Sequence, residues 1–196
     1  MMELEFLKFR PMKPSDAKEY KDALIETLDD LKLYKSSLVE HPYISVKKTE
    51  LMIRANQYFH ETNHDFFVLM NGKRLVAYGY AVKRHDDEWS ELGLWVRKSY
   101  QGKGCGIHML QLLVEYAFKN HPSIGVYVIH DFSNISMGKT AERLGFETDW
   151  VRERELESAI DIENKRSGKV SGIDVRQSLC RSDMGSLKID HFSIDT

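Results

Sequence analysis

Alternating apolar and polar positions open the chain, and residues 4–12 (LEFLKFRPM) predict a first strand. Pro14, Ser15 and Asp16 then supply a helix start, followed by Ala17, Tyr20, Leu24, Leu28 and Leu31 at helical spacing. His41 and Pro42 interrupt that helix, and a second is predicted over residues 45–64 with Leu51, Met52, Ala55 and Phe59 on its apolar stripe. Three strands joined by tight turns follow. Phe66–Met70 turns back at Asn71-Gly72 into Leu75–Val82, a second turn lies at His85–Glu88, and residues 89–97 form the third strand. Its alternation sets Leu92, Leu94 and Val96 on one face and Glu91, Gly93, Trp95 and Arg97 on the other.

A glycine-rich segment, Gln101–Gly106, opens directly into a helix with Ile107, Leu110, Leu113, Val114, Ala117 and Phe118 on a broad apolar face. Its polar stripe is narrow, made of His108, Gln111, Glu115 and Lys119, so the helix is expected to lie mostly buried against a sheet. Pro122 ends it. A strand at 124–130, a short helix at 135–144 stopped by Gly145, and two strands at about 148–156 and 172–180 complete the order. The pattern predicts one mixed α/β domain over residues 1–181, a twisted, mostly antiparallel sheet with helices on both faces. Residues 182–196 form a tail whose alternating segment, Leu187–Ile194, reads as an added strand.

Composition narrows the function classes. The chain has 196 residues, 42% of them hydrophobic, enough for a real core. Its 28 basic and 30 acidic residues leave a net charge of −2, which argues against nucleic acid or an anionic membrane as main partner. Cys105 and Cys180 are the only cysteines, so no disulfide framework exists. With no signal-like opening and no apolar run long enough to span a bilayer, the expected location is the cytoplasm.

The segment V-R-K-S-Y-Q-G-K-G-C-G over residues 96–106 carries the candidate chemistry. The first N–H groups of a helix lack internal partners and sit at the positive end of its dipole. Gly102, Gly104 and Gly106 let a ligand approach that backbone, and Arg97, Lys98 and Lys103 add positive charge, which together make a phosphate or pyrophosphate site. The spacing matches neither G-x-x-x-x-G-K-[ST] nor G-x-G-x-x-G. A glycine-rich turn with no ligand is the plainer alternative.

Gln101-x-x-Gly104-x-Gly106 after a strand resembles the acetyl-CoA loop of the GNAT N-acetyltransferases. Asn134-x-x-Met137 followed by Ala141-Glu142-Arg143-Leu144-Gly145-Phe146 resembles that family's next motif. Arg10-Pro11 with Ser15-Asp16-Ala17, and Glu91-Leu92-Gly93, are similar to the branch of ribosomal-protein N-terminal alanine and serine acetyltransferases and of polyamine acetylating relatives. The resemblance implies an acetyl-CoA-dependent N-acetyltransferase with acetyl-CoA as co-substrate and no metal. The acceptor it implies is a protein N-terminus, or in the alternative a small amine or polyamine, with the enzyme a monomer or homodimer.

By the same resemblance, backbone groups of Leu94, Trp95 and Val96 hold the pantetheine arm, and a backbone N–H near Val96 polarises the thioester carbonyl. N–H groups of Gln101, Gly102, Lys103, Gly104, Cys105, Gly106 and Ile107 hold the pyrophosphate. Asn134 bonds the pantetheine or acetyl end, and the fourth and fifth strands part to admit the arm.

Two departures stand out. Many relatives carry a tyrosine acid seven residues after the motif asparagine, and here that position is Ala141. The serine often found three residues after it is replaced by Met137, with Ser136 one place early. Ser136 is the leading acid, with solvent or Asn134 as alternatives. Glu91 is the candidate base, against a strand-edge glutamate with no role. Some of Glu147, Asp149, Glu153, Glu155 and Glu157 are a backup for attracting a cationic amine. A CoA-binding module without catalysis is the reading from a different class.

Residues 60–64 (HETNH) match a zinc-protease pattern formally but close a helix before a strand, with no third ligand suggested nearby. His130 and Asp131 lie near the expected reaction centre, as a relay or as a satisfied structural pair.

Overall fold

The computed structural model describes residues 4–33, 45–58, 64–83, 88–156 and 170–186. These form one seven-stranded sheet, in the order β1-β2-β3-β4-β5-β7-β6, with four α-helices among the described residues. The strands are β1 (Lys8–Pro11), β2 (His64–Asn71), β3 (Arg74–Lys83), β4 (Trp89–Val96), β5 (Gly125–Asp131), β6 (Glu147–Leu156) and β7 (Val170–Cys180). The helices are α1 (Ala17–Leu33), α2 (Val46–Tyr58), α3 (Cys105–Asn120) and α4 (Ile135–Arg143). Every neighbouring pair of strands is antiparallel except β4 and β5, which are parallel. No helix of the described residues is long and apolar enough to cross a membrane.

The central strands are buried on both faces, so they read as continuous apolar runs. On one face Phe67, Leu69, Val76, Leu92 and Val126 pack with Met109, Leu110 and Leu113 of α3. On the other, Val68, Met70, Leu75, Tyr78 and Trp95 pack with Tyr20, Leu24 and Leu31 of α1 and Ile53 of α2. The helix α3 sits close because β3 offers it a glycine. A Cβ at Gly79 would lie 2.7 Å from both Leu113 Cδ1 and Met109 Cε. This seat brings the middle of α3 close against β3.

Several expectations need correction. Leu4–Phe6 is a turn of 3-10 helix rather than strand, because Leu7 N–H bonds Leu4 O at 3.0 Å before β1 begins. Of the expected α2 stripe, Leu51 is 58% exposed and Met52 38%, while the Ala55 side chain and Phe59 lie outside the described residues. The face turned to the core carries buried Thr49 and Ile53 with partly buried Val46, and Thr49 tolerates burial by bonding Ser45 O at 3.3 Å through its hydroxyl. Asn71 pairs with Arg74, so the hairpin loop is Gly72–Lys73, with Gly72 in the left-handed region at φ 58°. His108, expected on the polar stripe, is buried, and burial pushes its pKa down and favours the neutral ring. His64 opens β2 and is not helical, while His60 lies outside the described residues. The break at His41-Pro42, the turn residues 85–87, the 157–169 connection and the expected strand at Leu187–Ile194 also lie outside them. Residues 181–186 continue β7 as 3-10 helix.

Gly79→Val is expected to destabilise the fold by about 1–3 kcal/mol through overpacking against α3. A denaturation midpoint unchanged from wild type would show that α3 yields freely at this contact.

Candidate active site

The parallel pair β4–β5 is short. Its register runs Trp89–Gly125, Ser90–Val126 and Glu91–Tyr127, and then stops. Beyond it β4 stays bonded to β3 and β5 to β7, so the two strands part. Backbone groups of β4 from Leu92 onward thus face a gap instead of a neighbouring strand, and such groups require another partner. The gap widens into a cleft of about 490 Å³, lined on β4 by Leu94, Trp95 and Val96.

At the wide end lies the glycine loop. The first bond of α3 is His108 N–H to Gly104 O at 3.1 Å, so the N–H groups of Cys105, Gly106 and Ile107 are left at the helix end. Gly102 and Gly104 adopt φ 69° and 84°, conformations that a side chain resists. Gly106 does not need the left-handed region, and a Cβ there would make only ordinary contact with Val96. Gln101, Gly102, Gly104, Gly106 and Ile107 all line the cleft. Gln101 also donates from Nε2 to Val96 O at 3.2 Å. Cys105 is buried, and burial raises its thiol pKa, which favours the unreactive thiol form.

The expected cationic flank is different in the structure. Arg97 is 6% exposed and is held by two carboxylates of α1, donating from Nε to Glu26 and from a terminal nitrogen to Glu19. Lys98 is paired with Asp30. Lys103 donates to Ser99 O at 2.7 Å. The first two charges are therefore neutralised by α1, and what they do is clamp that helix beside the loop. Thr27, Asp30 and Leu31 of α1 line the cleft as a result, a contribution that local patterning does not reveal. The cleft has its own cation in Arg143 of α4, which has no carboxylate partner among the described residues.

The helix α4 forms the opposite wall with Asn134, Ser136, Met137, Thr140 and Arg143. Asn134 is its N-cap, its Oδ1 accepting from Met137 N–H at 3.1 Å, which leaves the Nδ2 hydrogens as the donors it can present. Thr140 donates its hydroxyl back to Ser136 O at 2.7 Å. The Ser136 hydroxyl makes no hydrogen bond among the described residues. Ala141 is fully buried in the core and presents nothing to the cleft.

Glu91 does not line the cleft. It stands at the point where the strands part, accepting from Tyr80 Oη at 3.0 Å and from Tyr127 Oη at 3.4 Å. His130 lies on the other face, its Nδ1 2.9 Å from Asp131 O and its Nε2 3.0 Å from Gln177 Oε1, and it too does not line the cleft. Of the acidic run, Asp149 is tied to Arg176 and Ser178. The side chains of Glu153 and Glu155, and all of Glu157, lie outside the described residues.

Comparison with known proteins gives this geometry a context. A family model described as an acetyltransferase (GNAT) domain matches residues 7–147. No curated protein matches the chain in sequence. Among solved structures, the ribosomal-protein alanine acetyltransferase of Vibrio fischeri superposes with a TM-score of 0.75 at 17% identity, over 93% of this chain and 97% of that one. A ribosomal α-N-protein acetyltransferase in complex with coenzyme A gives 0.73 at 13% identity, over 89% and 93%. A spermidine N-acetyltransferase chimera from Vibrio cholerae gives 0.70 at 17% identity, over 92% and 99%. At these identities the structural likeness establishes the fold.

The Arg97 cluster has a pH signature. Hydrogen bonds from Ser99 first and Arg97 second hold the Glu26 carboxyl down to about 2 from its ordinary 4.5. A depressed folded pKa means that the stabilisation is complete above the unfolded value and is lost as pH falls through the folded one. Between pH 5 and pH 2, to order of magnitude, Glu26→Gln is expected to lose less stability than wild type. Thermal midpoints with equal pH slopes in the two proteins would remove this contribution.

Proposed function

The chain belongs to the acetyltransferase (GNAT) family, and from that premise we propose that it transfers acetyl from acetyl-CoA to the N-terminal α-amine of a protein or peptide by direct attack. That it is an acetyl-CoA-dependent N-acetyltransferase follows from the family, and the acceptor and the residue roles are our reading. The observation that carries it is the parting of β4 and β5 immediately beside the N-terminus of α3, which no side chain caps and whose dipole favours an anion.

The fit to acetyl-CoA is chemical. Exposed N–H groups at 102–107 suit a pyrophosphate, and space around Gly102 admits it, with nothing within 4 Å of a built Cβ. Backbone groups of Leu94, Trp95 and Val96 suit the amides of the pantetheine arm, and Asn134 offers its Nδ2 from across the cleft. A strand N–H of β4 polarises the thioester carbonyl. The neutral amine nitrogen forms the new C–N bond as the C–S bond breaks. The amine's surplus proton leaves through water beside Glu91, and the thiolate takes one from the Ser136 hydroxyl or from water. Ser136 suits this better than Thr140, whose proton is engaged within α4.

The missing phenol at Ala141 bears on the acceptor. With a pKa near 7.7–8.0, roughly a tenth or more of an α-amine is neutral at pH 7, against about one lysine amine in a few thousand. A site with little acid–base equipment therefore suits the α-amine. The polyamine and small-amine reading, which the spermidine acetyltransferase neighbour keeps in view, and the non-catalytic CoA-binding module are the outcomes that would replace it.

Gly104→Asp places a carboxylate and a side chain at a left-handed position in the loop, and acetyl-CoA affinity is expected to fall by at least about ten-fold, or about 1.4 kcal/mol. Unchanged affinity by calorimetry, in a folded variant, would take the loop out of the site.

A peptide with a free N-terminus is expected to be acetylated faster than an N-blocked lysine peptide. Faster reaction of the lysine peptide at every pH tested would move the polyamine or lysine reading ahead, and no product with any amine would favour the non-catalytic module.

A further inference from the structure

On the face of the sheet that carries Glu91, no described residue of β5, β7 or β6 joins the helix-packed core that holds Trp95, and that half carries Arg176. Arg176 of β7 lays its guanidinium 4.0 Å from the centre of the Tyr127 ring and 5.7 Å from that of Trp89. Such contacts preorganise the planar group. Its Nε lies 3.2 Å from Asp149 Oδ2 but out of line for a hydrogen bond, and Asp149 is itself held by Ser178. The side chain keeps 23% of its surface in solvent.

The ring beneath Arg176 is the same Tyr127 whose hydroxyl donates to Glu91. One phenol thus carries a carboxylate at its hydroxyl end and a guanidinium on its face. The frame is built by glycines. A Cβ at Gly93 would come within 2.3 Å of the Tyr80 ring, which crosses β4 there to reach Glu91, and a Cβ at Gly125 would come within 2.1 Å of the Trp89 ring. Ile129, the partner of Arg176, lies two residues past the last parallel pair on β5, as Gly93 does on β4 next to the cleft wall at Leu94, so both stand where the strands part.

We infer that Glu91 and Arg176 together recognise an α-amino carbonyl unit, and that Arg176 is the residue that selects it. Glu91 faces the amine, and the guanidinium donates to the oxygen on the adjacent carbonyl carbon. This rests on the amine-acceptor reading above and names its substrate class. A peptide N-terminus and a free α-amino acid share that chemistry. Asp149 beside Arg176 offsets its charge, so the discrimination rests on the guanidinium donors: neither a polyamine nor a lysine side chain carries an oxygen next to its amine for them to bind.

The test compares acceptors in the intact enzyme: an alanyl peptide, free alanine, 1,4-diaminobutane and an N-blocked lysine peptide. The wild type is expected to prefer one of the first two, and which one tells a peptide from a free amino acid. Arg176→Gln is expected to raise KM for that acceptor about ten-fold, with kcat and acetyl-CoA affinity retained and the 1,4-diaminobutane rate not reduced. Arg176→Glu is expected to turn the preference toward the diamine. Should Arg176→Gln fail to fold, Arg176→Lys, which keeps the charge and loses the planar fork, is expected to raise the same KM by a smaller factor.

A wild-type preference for the alanyl acceptor that survives Arg176→Gln, or a parallel loss on all acceptors, overturns the role of Arg176 and leaves the amine-acceptor reading standing. A wild type that prefers the diamine or the lysine peptide, or acetylates nothing, overturns both.

Discussion

Three residue pairs hold β4 to β5, and the rest of the molecule is arranged around the place where they stop. Each strand is committed elsewhere, β4 to β3 and β5 to β7, so neither can close the gap. A row of backbone donors and acceptors on β4 is then left for something other than a strand. The cleft exists because pairing is satisfied on the outer sides and withheld on the inner ones. That makes the site a property of topology before it is a property of any side chain.

The charges next to the site act on the scaffold. Arg97 follows β4 directly, and its backbone N–H still bonds Val76 O at 2.9 Å. Its guanidinium turns into α1, where Glu19 also accepts from Leu75 N–H and Glu26 from Ser99 N–H. One buried cation therefore ties a helix, two strands and the start of the loop. On our reading, anion recognition then falls to the N–H groups of the α3 terminus, which carry partial positive charge in fixed directions, with Arg143 as the cation on the opposite wall. The neutralisation of Arg97 and the anchoring of the loop's start at Ser99 to α1 are two sides of the same arrangement.

How much of this was legible follows from the range of the interactions. Hydrophobic periodicity gave the element order, because α3 and β2 to β5 bury whole faces and local spacing reports that. The glycine loop was legible because positive φ at Gly102 and Gly104 is a local demand. The fate of Arg97 was not, since its partners lie 71 and 78 residues away in α1. At Leu51 and Met52 the α2 stripe misled because a threonine can be buried once its hydroxyl finds a carbonyl, and it is Thr49 that faces the core while Leu51 and Met52 face outward. Tyr80, Tyr127 and Arg176 carry no local signal. Strand pairing alone brings them to Glu91, although the glycines at 93 and 125 mark where aromatic rings cross a neighbouring strand.

The arrangement also bears on why the acetyl group would pass directly to the amine. A covalent detour needs a nucleophile where the strands part. Cys105 is buried at the wide end of the cleft with its pKa raised, and Cys180 pairs with Gly125 at the closed end of β5. The Ser136 hydroxyl has no base bonded to it among the described residues. On our reading, a thioester lying along β4 meets on one side the wall of α4, whose groups are a serine, a threonine bonded to its own helix and an amide. On the other side is the half-face carrying Glu91 and Arg176. An acceptor arriving over that half-face reaches the thioester without displacing the arm from β4. Both substrates then occupy the site at once, and proximity supplies what a nucleophilic residue would otherwise have to provide.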